Sequence, residues 1–157
     1  MSETALSLLK NTHPEEPSTS ELGMEGERLA AEYLSRRGFE LVCRNFKTPV
    51  GRNSAGARVT GEIDLIAMEF DTLCFIEVKT RSGPSIGGPL SAVDIRKQRQ
   101  IVRVARIYRK LFGLEGAPFR YDAVGVSLLP GKRPSIEHRR SFWDESVFKK
   151  SRWTGEI

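Results

Sequence analysis

Two β-type runs, Val59 to Met68 (VTGEIDLIAM) and Leu73 to Thr80 (LCFIEVKT), are joined by a short polar connection around Phe70 and Asp71, and this pairing constrains the fold more than any other feature of the chain. So short a link fits an antiparallel hairpin. With the turn centred between Phe70 and Asp71, paired positions add to 141, so Asp64 faces Glu77 and Glu62 faces Lys79. Alternation then predicts Glu62, Asp64 and Ile66 on one side of the sheet and Ile63, Leu65 and Ala67 on the other, with Glu77 and Lys79 directed away from Cys74, Ile76 and Val78. Opposed like charges destabilise a strand pair. Asp64 and Glu77 therefore call for something between them, and a divalent cation such as Mg²⁺ takes hard carboxylate oxygens while keeping waters that also meet a phosphate. The plainer alternative is a solvated sheet face on which Lys79 neutralises Glu62 or Glu77. Both strands are otherwise apolar, however, as if covered on both faces, and charges so placed are costly unless paired or metal-bound.

Around this hairpin the chain reads as αβββαββ. Residues 1–20, with HPEEPSTS, read as a mobile tail. Leu22, Leu29, Ala30, Tyr33 and Leu34 recur at helical spacing over Glu21 to Arg37, with Gly38 as the stop. Phe39 to Phe46 reads as a strand, and Lys47 to Arg58, rich in Gly, Asn, Ser and Pro, as a long loop. SGPSIGGP then breaks the chain. Leu90 to Phe112 reads as a second helix with two stripes, one apolar (Ile101, Val104, Ala105, Tyr108, Leu111, Phe112) and one basic (Arg96, Arg99, Arg103, Arg106, Lys110). Residues 118–128 and 134–142 read as further strands. The order shows no repeat and no regular βα alternation, so the expected class is an α/β or α+β domain around a mixed sheet over residues 21–142, followed by a C-terminal extension, 143–157.

Charge and composition narrow the chemistry. The 25 basic and 20 acidic residues give +5 overall, but residues 61–90 carry 2 basic and 5 acidic groups while residues 91–157 carry 15 and 7. An acidic island in a basic chain repels polyanions unless a cation intervenes. His13 and His138 are the only histidines, and Cys43 and Cys74 have no metal-binding spacing, which excludes a His- or Cys-rich zinc site and predicts two buried free thiols. Gly51 to Gly56 has the spacing of a phosphate loop, but Ala57 stands where Lys is required, which excludes nucleotide binding there. The apolar runs are strand-sized and the N-terminus lacks a basic n-region, so neither a membrane span nor a signal peptide is expected, and the expected compartment is the cytoplasm. Trp143 and Trp153 are expected to pack rather than to stack on bases.

Asp64 followed by Glu77-Val78-Lys79 resembles the PD-(D/E)XK nuclease signature. More specifically, Gly26-Glu27, Leu29-Ala30, Tyr33-Leu34, Gly38, Arg44-Asn45, GEIDLI at 61–66, FIEVKTR at 75–81, Lys97 and a late strand at Tyr121-Asp122-Ala123-Val124 resemble the YraN-like family of predicted bacterial endonucleases. The likeness spans about residues 22–142. It implies a restriction-endonuclease-like fold similar to that of archaeal Holliday-junction resolvases. It also implies Asp64, Glu77 and Glu27 as ligands of Mg²⁺, with Mn²⁺ as a substitute, and Lys79 as the group that orients the attacking water or stabilises developing charge. Glu62 matches a family position and is expected to pair with Lys79. Lys97 and Gln98, at the start of the second helix, are expected to reach the site, and Arg81 to meet a phosphate. The basic stripe on that helix is either a DNA track or simply its wet face. Two departures stand out: the loop before GEID is longer than the family normally has, and Ile86 replaces a usual Phe. The function implied is metal-dependent cleavage of DNA phosphodiesters, with branched DNA of repair or recombination as the substrate and pairing of two copies as in resolvase-like folds. The alternative is a nuclease-fold nucleic-acid-binding or assembly protein with little or no activity.

Overall fold

Ser18 opens the first helix. Its hydroxyl accepts from Glu21 N and Glu21 Oε2 accepts from Ser18 N, a reciprocal cap that starts α1 (Thr19–Arg36) two residues earlier than the apolar periodicity predicts. Gly38 ends it in the left-handed region, φ +88°, as expected. The computed structural model describes residues 16–84 and 87–148, so residues 1–15 of the expected tail (1–20), with His13, and also Ile86 and Trp153 lie outside the described residues, whereas Thr19 and Ser20 belong to α1 rather than to a tail.

Five strands follow: β1 (Glu40–Arg52), β2 (Arg58–Glu69), β3 (Thr72–Arg81), β4 (Phe119–Ser127) and β5 (Ser135–Trp143), lying in that order in one sheet. β1, β2 and β3 form an antiparallel meander. β3 and β4 are parallel, connected through α2 (Ile95–Leu111), and β5 returns antiparallel. Helix α1 packs with Leu65, Ile76 and Val124 on one face, and α2 with Ile63, Phe75 and Tyr121 on the other, giving three layers and two cores. This is the mixed α+β, restriction-endonuclease-like architecture expected from sequence. No helix among the described residues is long and apolar enough to cross a membrane.

The hairpin register holds as far as it runs: Leu65 pairs with Ile76 and Glu69 with Thr72, around a turn at Phe70 and Asp71 in which Phe70 takes φ +54°. Three other expectations are corrected. Residues 47–52 are not loop but the second half of β1, paired with 58–62 of β2 around a turn at 53–57. Pro49 is tolerated because β1 is an edge strand, a bulge between Pro49 and Gly51 absorbs the irregularity, and Asn53 Oδ1 accepts from Ala55 N and Ala57 N to close the turn. The second helix is shorter than Leu90 to Phe112, because Asp94 caps it by accepting from Lys97 N and the preceding Pro89–Ala92 forms a separate 3₁₀ turn. Strict alternation also fails on β2. Ile63 and Ile66, three positions apart, both pack on the α2 side while Leu65 packs on the α1 side, and on β1 Cys43 and Phe46 show the same spacing around Asn45 at φ +50°. Ile66 therefore does not share a face with Glu62, nor Ile63 with Leu65.

Packing continues past residue 142. Trp143 is buried and stacks on Tyr121 at 5.6 Å, and Val147, in the Glu145–Phe148 turn, is buried in the α2-side core. Both described cysteines are free. Cys74 is buried, its thiol pushed up to about 11 by that burial, and Cys43 is half-buried.

Candidate active site

The β2–β3 ladder stops at Leu65–Ile76, at the point where the alternation breaks, while β3 stays paired with β4 as far as Arg81–Ser127. Into the gap goes a carboxylate: Asp64 Oδ2 accepts from Val78 N at 2.8 Å. The like-charged Asp64–Glu77 ladder pair expected from the register is thus replaced by a carboxylate bonded to the neighbouring backbone. Glu62 is not opposite Lys79 either. It lies across from Lys47 on β1, with the two charges 3.8 Å apart.

Glu77 is the most constrained group here. It is 2% exposed, its Oε1 is 3.5 Å from Lys79 Nζ and 3.8 Å from Lys97 Nζ, and its Oε2 is buried with no hydrogen-bond partner. Burial, reinforced by Asp64 and offset in part by Lys97 and Lys79, pushes its carboxyl up to about 8. Glu27, on α1, is raised by burial and then by Asp64. With the Asn45 amide turned so that its nitrogen faces the two carboxylates, it donates to Glu62 Oε1 at 2.9 Å and Glu27 Oε2 at 3.2 Å. The family resemblance implies no role for Asn45. The left-handed backbone that aims it across β1 leaves no mark in the alternation of the sequence.

Glu27, Asp64, Glu77, Lys79, Arg81 and Lys97 all line one open cleft of about 570 Å³, floored by the ends of β2 and β3 and walled by the first turns of α1 and the start of α2. Four of the sequence candidates, Asp64, Glu77, Lys79 and Glu27, are thus brought together, with Lys97 and Arg81 beside them. Gln98 is not, because its amide donates to Val93 O at 3.1 Å. The basic stripe on α2 is not an open track. Arg99 donates to Val147 O at 2.6 Å, Arg106 pairs with Glu145 at 3.1 Å, and Arg103 and Arg106 lie over Phe148, so three of its five members hold the C-terminal turn. Arg96 and Lys110 are exposed.

Glu27 does not close with Asp64 and Glu77 into a cage, and no group of three or more His, Cys, Asp or Glu able to hold a metal occurs among the described residues. The donor set still suits a hard divalent cation. Mg²⁺ is commonly held by one or two carboxylates plus waters and substrate phosphate rather than by an all-protein cage. Asp64 and a buried Glu77 with one unpartnered oxygen meet that description.

The wall that carries Glu27 depends on one close approach. A Cβ on Gly26 would stand 1.7 Å from Thr80 Oγ1, so α1 rests directly on β3 beside Lys79. Gly26→Ala is expected to lower stability by about 1–3 kcal/mol through overpacking and to shift Glu27. Thermal melts check this, with Gly26→Ala/Thr80→Ala expected to recover part of the loss. An unchanged melt in the single variant contradicts the close packing.

Residues 26–126 match the model of "Uncharacterised protein family UPF0102". The chain is 42% identical over 134 residues to a UPF0102 protein of Chlorobium chlorochromatii (strain CaD3), spanning 82% of this chain and 95% of that one. It is 41% identical over 119 residues to a UPF0102 protein of Rhodococcus jostii (strain RHA1), spanning 76% and 92%. The crystal structure of SSO0001 superimposes loosely, with a TM-score of 0.40 and 20% identity over 83% of this chain and 56% of that one. The chain belongs to the UPF0102, or YraN, family.

Proposed function

We propose that this protein is a metal-dependent endonuclease that hydrolyses DNA phosphodiester bonds, with branched or junction DNA as the substrate class. The observation that carries the reading is the Glu77 carboxylate, 2% exposed at the floor of the cleft with one oxygen unpartnered, beside Asp64 and between two lysines. A purely structural buried acid completes its hydrogen bonds. Asp64 and Glu77 would hold the cation, Mg²⁺ or Mn²⁺, with Glu27 beside them. Such a cation supplies Lewis-acid polarisation of a phosphodiester and a nucleophilic water at neutral pH.

The chain's own groups do the rest. Val78 N fixes the Asp64 carboxylate, so its second oxygen keeps a set direction in the cleft. Lys79 and Lys97 approach Glu77 from two different elements, each with its side chain about a third exposed, so both can turn towards an entering phosphate without leaving the cleft. There Lys79 donates to a non-bridging oxygen as negative charge develops, the role for which a preorganised donor in a partly water-excluded site is most effective. Arg81 at the rim offers a further phosphate contact. Glu27, raised by burial and by Asp64, is placed to take up a proton from the cleft.

Lys79→Ala is expected to lower single-turnover cleavage by roughly 10²- to 10³-fold, in line with loss of one charge-stabilising donor. Substrate affinity in chelator should change little. Cleavage of flapped and four-way-junction DNA at the wild-type rate by this variant contradicts the role. A second reading, a nuclease-fold binding protein with little turnover, is favoured by the two lysines that already balance Glu77. Salt-sensitive DNA affinity with no cleavage in Mg²⁺ or Mn²⁺ by wild-type protein would establish it.

A further inference from the structure

The paired extension of β1 and β2 beyond the sheet core is the feature that the proposed chemistry leaves unused. Residues 51–58 are all exposed, whereas its root is anchored: Val50 packs on the α2-side core, and a Cβ on Gly61 would meet Val104 Cγ2 at 2.4 Å. From Arg44 to Gly61 the chain carries Arg44, Lys47, Arg52 and Arg58 and not one acidic residue. At the root the charge is balanced, since Lys47 faces Glu62 at 3.8 Å and Arg44 lies with Glu27 along a groove beside α1. At the tip it is not. Arg52 and Arg58 are direct cross-strand partners, so two like charges sit on the same side of the hairpin; Arg52 donates to Gly56 O at 2.8 Å, and no carboxylate pairs with either arginine among the described residues.

We infer that this hairpin is a phosphate-gripping arm, by which the protein holds the sugar–phosphate backbone of a nucleic acid at a distance from the cleft. β2 runs from Asp64 in the cleft to Arg58 at the tip in six residues, roughly 20 Å of extended strand, which matches the rise of about six base pairs. A duplex seated over Asp64 and Glu77 thus has its backbone within reach of the arm about half a turn from the cleft. Asn53, between the two arginines, spends its side-chain oxygen on closing the turn, so the arm grips by charge rather than by sequence. A membrane surface fits less well, because the turn, Asn-Ser-Ala-Gly-Ala, presents no aromatic or long apolar side chain to enter an interface. The direction of the arm rests on the nuclease reading, but its grip does not, and binding is measured without turnover.

The experiment is fluorescence anisotropy of full-length protein in chelator with a labelled 20-base-pair DNA duplex, a matching RNA duplex as competitor and phosphatidylserine vesicles as a separate probe. Arg52→Ala/Arg58→Ala is expected to weaken duplex binding by about 5- to 20-fold at 0.1 M salt and to reduce the slope of log affinity against log salt by about 1.8, for two released counterions. Arg36→Ala/Arg37→Ala removes equal charge from the far end of α1 and is expected to leave both unchanged. Competition by RNA as well as DNA supports backbone gripping. An unaltered slope in the arm variant, an equal loss in the control, no duplex binding by folded wild type, or an effect confined to vesicles overturns the arm. Failure of cleavage with the arm's contribution intact overturns the nuclease reading alone.

Discussion

Glu77→Gln should raise the melting temperature of the metal-free protein at pH 8 by roughly 5 to 12 °C and abolish cleavage, an exchange of activity for stability at one atom pair. The Glu77 carboxyl is buried, and that burial followed by Asp64 lifts it to about 8. A carboxyl raised in the folded state binds its proton more tightly there than in the unfolded chain. Its favourable contribution is therefore full below the ordinary carboxylate range and is lost as pH rises through about 8. At and above that pH the native state carries an ionised carboxylate whose cost is on the order of a few kcal/mol. Gln keeps the shape without the charge, and the lysines it leaves, each about a third exposed, remain hydrated. The gain should shrink as pH falls below 8 and approach zero only below about pH 4, where Glu77 is protonated in both states. Melts from pH 5 to 9 in chelator check the slope, and Mg²⁺ should then stabilise wild type but not the variant. A variant less stable than wild type at pH 8 contradicts the account of Glu77 as a strained, unsatisfied acid.

Asp122 is the opposite case, and its loss should be the most damaging single change outside the cleft. It is fully buried on β4, yet it accepts from Arg120 Nε at 2.9 Å, bonds His138 Nε2 at 2.9 Å and accepts from Ser141 N at 3.0 Å. Burial alone would raise its carboxyl, but the His138, Arg120 and Ser141 bonds outweigh it and hold the group below the ordinary carboxylate range. Arg120 also binds Glu69 at 2.9 Å, and Glu69 binds Arg140 at 2.7 Å, so the network ties β2, β4 and β5 together. Asp122→Ala leaves the half-buried His138 and Arg120 without their common acceptor, Arg120 keeping only Glu69, and a loss of about 3–5 kcal/mol is expected. With its folded value depressed, Asp122 contributes above the ordinary carboxylate range and loses that contribution as pH falls through the folded value. Wild type and variant should therefore differ by their full amount at pH 7 and by less at an acid pH where the folded carboxylate takes up its proton. Urea unfolding at the two pH values measures this, and a difference under about 1 kcal/mol at pH 7 contradicts a unified network.

The sequence makes legible those features that are set locally. The β2–β3 register follows from a two-residue turn and two apolar strands, and both helices from periodicity, with Gly38 as the stop of α1; the caps at Ser18 and Asp94 set their true starts. The gathering of Asp64, Glu77, Lys79 and Glu27 in one cleft followed from the family resemblance. What escaped depends on interactions between distant strands. Lys47 to Arg52 read as loop because Pro49 and Gly51 are poor strand formers, yet pairing with Arg58 to Glu62 and a solvent-facing edge outweigh that local preference. The reversal of faces at Asp64 is imposed jointly by Asn45 on β1 and the end of the β3 ladder, and neither strand shows it alone. Partner choice was likewise invisible: Glu62 found Lys47 rather than Lys79, Gln98 turned back to Val93, and three arginines of the α2 stripe turned to the Glu145–Phe148 segment.

The most direct test of the cleft as a hydrolytic site is to incubate wild type and Asp64→Asn with labelled linear, flapped and four-way-junction DNA in Mg²⁺, Mn²⁺ or chelator. Asp64→Asn keeps an oxygen for Val78 N, so the fold should survive. Cutting by wild type that needs the metal, with at least a 10³-fold loss in the variant and the branched substrates cut fastest, is the predicted result. Equal cutting by both proteins, or none by folded wild type on any substrate with either metal, contradicts it.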